Sequence, residues 1–153
     1  MTSWTEREVP LEALMPLLRE RLAAGQSVRL SPRGTSMLPM LRQGLDEVVL
    51  SPVPARLQKY DLPLYQRRDG QFVLHRVVET GETYTCCGDN QFVLEQGLRR
   101  DQMIAVVSSF RRNGRWHRVD ALPYRLYCRV WCTSRPIRHF WRRGWGWLRR
   151  HLR

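Results

Sequence analysis

Residues 69–86 read DGQFVLHRVVETGETYTC, a pattern of apolar runs separated by turn residues. Asp69-Gly70 is a strong signal for a two-residue hairpin turn. Phe72–Glu79 is typical of one continuous strand, and the turn at Thr80-Gly81 leads into a second strand over Thr83–Cys86. Strands joined by such short turns pair antiparallel, so these residues predict an antiparallel sheet.

The same signals extend the sheet on both sides of this region. Leucines recur at helical spacing before Gly25, so residues 10–24 predict an N-terminal helix. The expected fold is therefore mainly β, an antiparallel β body with an N-terminal helix and a C-terminal amphipathic helical tail. The further predicted strands cover residues 28–30, Glu47–Leu50, Leu62–Gln66, Ile104–Arg111 and Arg115–Val119.

The charge of the 153-residue chain is unevenly distributed. Residues 1–110 hold 13 Lys and Arg against 13 Asp and Glu, whereas residues 111–153 hold 13 Arg against Asp120 alone. Five of the six Trp also follow residue 110. A polyanionic partner is therefore expected for the C-terminal part. The predicted division is a helical segment (1–27), a β domain (28–120) and a basic, Trp-rich tail (121–153).

The tail beyond Pro136 has the pattern of an interfacial amphipathic helix, because its apolar residues and its arginines fall on opposite arcs of a helical wheel. We expect residues 137–153 to lie on an anionic membrane surface. Nucleic acid is the weaker alternative partner. A chain that ends at Ala121 is expected to keep the β body and lose membrane binding. The residues expected to contact lipid are Trp141, Trp145, Arg138, Arg142 and Arg149.

Targeting signals and metal-ligand spacings are not found in the sequence. Acidic residues lie near the N-terminus and no apolar run approaches the roughly 18 residues of a membrane span, so neither a secretory signal nor a transmembrane helix is predicted. We expect a cytoplasmic protein, peripheral on the inner face of the membrane. Cys86 and Cys87 are adjacent and Cys128 and Cys132 are four apart, which lacks the paired spacing of zinc ligands. No metal or cofactor is expected.

Ser36, His75 and Asp89 are the first candidates for chemistry. Serine becomes a nucleophile when a neighbouring base takes its proton, and a neutral imidazole can be that base near pH 7. A carboxylate on the far ring nitrogen would fix the imidazole tautomer. Each residue alone has an ordinary explanation: Ser36 as a helix cap, His75 as a structural histidine and Asp89 as a turn former.

Five short motifs follow one another along the chain: Ser36-Met37-x-Pro39-x-Leu41, Lys59-Tyr60-Asp61-x-x-x-Tyr65, His75-Arg76-Val77-Val78, Gly88-Asp89-Asn90 and Met103–Val107. This ordered set resembles the type I signal peptidase/LexA superfamily of serine peptidases. The resemblance covers residues 28–110 and includes a histidine where most bacterial signal peptidases have a lysine base. With this histidine, the chain is similar to the serine–histidine branch found in the endoplasmic reticulum and archaea.

The resemblance implies that Ser36 is the nucleophile and His75 the general base. The supporting acid is Glu95 or Asp89, two alternatives that the sequence leaves open. Asp101 is a third, less favoured candidate. The oxyanion hole would use backbone groups near the nucleophile, from Gly34, Thr35, Ser36 and Met37.

The substrate implied by the resemblance is an extended peptide or protein leader that pairs with strand edges beside the nucleophile. The predicted function is thus that of a serine endopeptidase. Tyr60 replaces the usual glycine and Gly34 replaces a frequent hydroxyl residue. These two departures motivate an alternative function, a catalytically inactive binding module whose basic tail contacts membrane or nucleic acid.

Overall fold

The computed structural model describes the backbone of residues 9–151 and the side chains of residues 9–143. In this range the chain forms three α-helices, a short 3-10 helix and nine strands in two antiparallel sheets. The antiparallel sheets and the N-terminal helix agree with the prediction, but the architecture is a mixture of α and β, so a mainly β fold is only roughly supported. The elements are α1 Leu11–Ala23, β1 Val28–Leu30, β2 Glu47–Ser51, β3 Pro63–Gln66, β4 Phe72–Leu74, β5 Arg76–Thr80, β6 Tyr84–Cys87, β7 Glu95–Leu98, the 3-10 helix Arg100–Gln102, β8 Met103–Arg112, β9 Arg115–Arg118, α2 Leu122–Thr133 and α3 Arg135–His151.

The larger sheet has the strand order β1-β2-β8-β3-β4, and β9 also pairs with β8. The long strand β8 runs through its centre, pairing Val107 with Leu50 of β2 and Ala105 with Leu64 of β3. Alternate residues of β2 are fully buried, as expected for a strand with one face on the core. Helix α1 packs its buried Met15, Leu18 and Leu22 into the same core.

The smaller sheet has the order β5-β6-β7 and its own apolar cluster around Tyr65, Val77 and Cys86. Strand β7 was not predicted, because Glu95-Gln96-Gly97-Leu98 has one apolar residue and a glycine with φ of 70°. Its partner β6 is buried along its whole length, so tertiary pairing rather than local propensity makes this strand.

The prediction of one continuous strand over Phe72–Glu79 is wrong. The strand is interrupted at His75: β4 pairs with β3 in the larger sheet, and β5 pairs with β6 in the smaller one. The apolar residues on both sides of His75 are partly or fully buried. The whole run therefore has the composition of a single strand. The histidine therefore lies at the junction between the sheets.

The predicted tail is two helices, and the first belongs to the body. Tyr124 and Cys128 of α2 are buried in the core cluster that includes α1. Pro136 lies in the first turn of α3, where the missing N–H costs no hydrogen bond. The boundary at residue 120 remains a prediction, but the packing of α2 indicates that the β body is incomplete without residues 122–133.

Candidate active site

The loop between β1 and β2 carries Ser36, and buried apolar side chains hold it on the core. Ser36 itself is half-buried, while Met37, Met40 and Leu41 are buried. Gly34 takes φ of 82°, a left-handed conformation that glycine adopts without strain. The loop thus turns tightly just before the serine and is anchored just after it.

His75 is 2% exposed at the junction of β4 and β5. Its Nδ1 atom lies 3.1 Å from Oε1 of Glu95 and 3.3 Å from the hydroxyl of Tyr65. A proton on Nδ1 can be donated to the Glu95 carboxylate, which leaves the lone pair on Nε2. A general base needs this tautomer, because the unprotonated nitrogen is the one that accepts the proton.

Glu95, the first residue of β7, is held in turn by Arg67. The Arg67 Nε atom donates to Oε2 of Glu95 over 2.8 Å, and its Nη2 atom pairs with Oε1. This bidentate pairing fixes the plane of the carboxylate. Hydrogen bonding and charge from Arg67 help to hold the pKa of Glu95 below its usual value, against the opposing effect of burial.

Burial lowers the pKa of His75, and the nearby Glu95 carboxylate opposes that effect while the Arg67 charge adds to it. The net direction is downward from the usual value of about 6.5. The imidazole is therefore neutral at pH 7 and able to accept a proton.

The turn after β6 holds the serine loop against the histidine. The amide of Asn90 donates to the Ser36 carbonyl over 2.8 Å, and its side-chain amide donates to the Thr35 carbonyl over 3.2 Å. A Cβ atom on Gly88 would lie 2.6 Å from the Ser36 carbonyl oxygen and 3.1 Å from Nε2 of His75. Glycine is required there because the backbone, the histidine and the serine loop meet at this point.

A cleft of about 270 Å³ opens beside these residues. Within the described part of the chain, neither the Ser36 hydroxyl nor Nε2 of His75 has a hydrogen-bond partner. Both groups are therefore available to a molecule in the cleft. The lining residues are Pro32, Arg33, Gly34, Ser36, Met37, Leu41, Arg67, Gln71, Phe72, Val73, Leu74, His75 and Gln91.

Backbone N–H groups near Ser36 differ in their availability. The Gly34 amide donates to the Gln43 side chain over 2.8 Å and is already used. The amides of Thr35, Ser36 and Met37 have no acceptor among the residues that the structure describes. They remain free to stabilise negative charge on an oxygen bound next to Ser36.

Asp89 contacts a different partner from Glu95. Its two carboxylate oxygens accept hydrogen bonds from Nε and Nη2 of Arg76, each over 2.8 Å, and both side chains are fully buried. Arg76 also donates to the hydroxyl of Tyr124 and to the sulfur atoms of Met40 and Cys128. Of the two acids left open by the sequence, Glu95 is the one beside His75. The third candidate, Asp101, is exposed and pairs with Arg99.

Two arginines predicted to contact lipid instead face this region. Arg138 donates to the Asp89 carbonyl over 3.2 Å, and Arg142 donates to the Asn90 carbonyl over 3.4 Å. Trp141 is 64% exposed. The side chains of Trp145 and Arg149 lie outside the described residues, and the membrane role of all five remains a prediction.

No role in the site was predicted from the sequence for Arg67 or Tyr65, although Tyr65 ends the second of the motifs that carry the resemblance. Each lies in β3 or directly after it, and pairing with β4 brings this hairpin beside His75. The Asp69-Gly70 turn predicts that pairing, and it was the available signal that Arg67 would come near the histidine.

Comparisons with protein-family models, with curated proteins and with solved structures found no match. Among the described residues, no cluster of three or more His, Cys, Asp or Glu side chains is arranged to hold a metal ion. All four cysteines are free thiols, and burial raises the pKa of Cys86 to about 12. No helix in the described range is long and apolar enough to cross a bilayer.

Proposed function

We propose that the protein is a serine endopeptidase of the signal-peptidase type that cleaves a peptide or a leader segment of a protein. The observation that carries this proposal is the double contact of His75. Its Nδ1 atom lies beside Glu95, and its Nε2 atom lies beside the turn that binds the Ser36 loop.

Hydrolysis on this arrangement proceeds in two stages. The Ser36 hydroxyl attacks the scissile carbonyl carbon, and its proton passes to Nε2 of His75. The resulting oxyanion accepts hydrogen bonds from free N–H groups near Ser36. The C–N bond then breaks as His75 returns the proton to the leaving amine. Water deprotonated by the same nitrogen hydrolyses the acyl-enzyme.

Glu95 is the orienting acid in this mechanism, and Asp89 has a structural role. The first carboxylate stabilises the imidazolium that forms during attack. The second neutralises a buried guanidinium, and a buried charge without such a partner is costly.

The relation to the signal peptidase/LexA fold has a second support in the backbone. Tyr60 stands where those peptidases usually have glycine, and it takes φ of 80°. This region of φ favours glycine. Its amide donates to the Val77 carbonyl over 2.8 Å, which holds the turn against β5.

Attachment of the protein to the cytoplasmic face of an anionic membrane is the second part of the proposal. Leu122, Leu126 and Val130 recur every four residues on α2 and are 80%, 60% and 60% exposed. Phe140 on α3 is also exposed. No acidic residue follows Asp120, and nine arginines do. An apolar helix face within a purely basic segment matches an anionic lipid surface.

Labelling with a fluorophosphonate tests the enzyme proposal, because an activated serine attacks its phosphorus atom, displaces fluoride and becomes phosphonylated, whereas an ordinary serine does not react. Wild-type protein is expected to form a Ser36 adduct, mapped by mass spectrometry, and Ser36→Ala is expected to form none. Ser27→Ala removes an exposed hydroxyl outside the cleft and is the matched control. Folded wild-type protein that stays unlabelled would favour the inactive binding module.

A further inference from the structure

A second depression, which we call the α3 groove, lies between α3 and the segments that hold the proposed site. Its volume is about 500 Å³. The residues that line it are Leu38, Pro39, Asn90, Phe92, Trp131, Ile137, Arg138, Trp141 and Arg142.

The α3 groove and the catalytic cleft are built on the same two segments. Ser36 and Met37 line the cleft, and the next two residues line the groove. Likewise Gln91 lines the cleft, and its two chain neighbours line the groove. The groove and the cleft are therefore adjacent to each other along these two segments.

The positive charge of the groove is fixed in place by the body. Arg138 donates to the Asp89 carbonyl, the Trp131 carbonyl and the Ser134 hydroxyl. Its guanidinium carbon lies 3.7 Å from the centre of the Trp131 ring. This side chain is a positioned charge, because each of its three guanidinium nitrogens already donates one hydrogen bond to the protein.

Arg142 has donors to spare. Its Nη1 atom makes one long hydrogen bond, 3.4 Å to the Asn90 carbonyl. Its other guanidinium nitrogens have no acceptor among the described residues. The guanidinium carbon lies 5.5 Å from the centre of the Phe92 ring, which keeps the group at the groove. A free guanidinium fork of this kind is suited to a carboxylate.

Apart from Asn90 and the two arginines, the lining is apolar, and it contains no acid. Ile137 and Trp141 are 63% and 64% exposed, and Phe92 and Trp131 are partly buried beside them. Large apolar side chains around two arginines complement a ligand that has a carboxylate next to an apolar or aromatic group.

We propose that the α3 groove binds the segment of the peptide substrate on one side of the scissile bond, and that Arg142 selects an acidic residue there, flanked by large apolar residues. This inference rests on the proposed peptidase function and names the substrate class for it. Helices α2 and α3 thereby form one wall of the substrate site.

Binding is measured first on Ser36→Ala protein, which separates recognition from hydrolysis. The probes are octapeptides of four alanines joined to Glu-Phe-Glu-Leu, with the acidic half placed first or last, and their Gln-Phe-Gln-Leu counterparts. Calorimetry is expected to give about tenfold tighter binding for one Glu peptide than for its Gln counterpart. Arg142→Gln should abolish the difference, and Arg142→Lys should restore part of it.

Arg143→Gln is the matched control, because Arg143 lies on the same helix and does not line the groove. It is expected to leave the Glu preference unchanged. Circular dichroism checks that each variant is folded. Equal binding of the Glu and Gln peptides, in both orders, would overturn the proposal. So would a Glu preference that Arg142→Gln does not change.

Cleavage by wild-type protein then separates the two proposals. Cleavage of Glu and Gln peptides at the same kcat/KM would overturn the proposal that the groove selects an acidic residue. It would leave the peptidase function intact. Ser36→Ala protein could bind the Glu peptide selectively while wild-type protein cleaves neither peptide. That result would support selection by the groove and count against the peptidase function. Loss of phosphatidylglycerol vesicle binding in Arg142→Gln, with no peptide preference in wild type, would assign this arginine to lipid instead.

Discussion

The guanidinium of Arg76 and the carboxylate of Asp89 form a bidentate ion pair in which neither side chain is exposed to solvent. The pair joins β5 to the turn after β6, and Tyr124 extends the network to α2. The same turn binds the Ser36 loop through Asn90. The proposed site is thus held in place by a charge pair that does not itself contact His75.

Asp89→Asn is expected to destabilise the fold, because it leaves a buried guanidinium without a counter-charge. The free energy of unfolding should fall by about 3–5 kcal/mol. Urea denaturation of the variant and of wild type measures the change. Asp101→Asn, which removes an exposed carboxylate paired with Arg99, is the control and should leave the midpoint unchanged. An Asp89→Asn protein that unfolds at the same urea concentration as wild type would contradict the structural role assigned to this acid.

Glu95→Gln is expected to act on the rate of fluorophosphonate labelling. The carboxylate opposes the burial that lowers the pKa of His75, so its loss lowers that pKa further. Labelling requires the neutral imidazole and is lost as pH falls through this pKa. The acid limb of the pH profile should therefore move to lower pH, and the rate at pH 8 should fall about 10²-fold.

The control for Glu95→Gln is again Asp101→Asn, which should change neither the rate nor the pH profile. An acid limb that stays in place, or moves to higher pH, would contradict the assignment of Glu95 as the partner of His75.

Gly88→Ala is expected to separate the serine from the histidine. The new methyl would lie 2.6 Å from the Ser36 carbonyl oxygen, closer than Cβ atoms approach backbone oxygens, so the loop must move. Labelling at Ser36 should fall by about 10²-fold or more, since small displacements of reacting groups have effects of that size. Gly81→Ala meets its nearest neighbour at an ordinary 3.7 Å and should label like wild type.

Leu126→Asp is expected to weaken binding to vesicles that contain phosphatidylglycerol. It places a charge in the exposed apolar row of α2 and should lower the partition coefficient about tenfold in co-sedimentation at about 0.15 M salt. Val93→Asp makes the same charge change at an exposed valine on the loop before β7. Equal losses in both variants would show a general charge effect and would refute docking through α2.

Local patterns predicted most of the secondary structure. The leucine spacing predicted α1 to within one residue at each end, and the Asp69-Gly70 turn predicted the β3–β4 hairpin. These signals are local, because turn conformation and amphipathic spacing depend on neighbours in the chain.

The unpredicted parts depend on long-range contacts. The interruption at His75 exists because β4 and β5 pair with different strands, and no residue near it is a strand breaker. The choice of Glu95 beside His75 depends on the pairing of β7 with β6, which its polar composition does not indicate. The burial of α2 was missed because its exposed leucines and arginines dominate its pattern.

The network around Arg76 also bears on the order in which the protein matures during synthesis. Ser36, His75 and Glu95 all leave the ribosome before Tyr124 and Cys128, and chains fold from the N-terminus as they emerge. A nascent chain that ends between Glu95 and Tyr124 contains all three residues but lacks two of the hydrogen-bond partners of Arg76. If the proposed function holds, the support that α2 gives to the site is in place only after residues 122–133 have been synthesised.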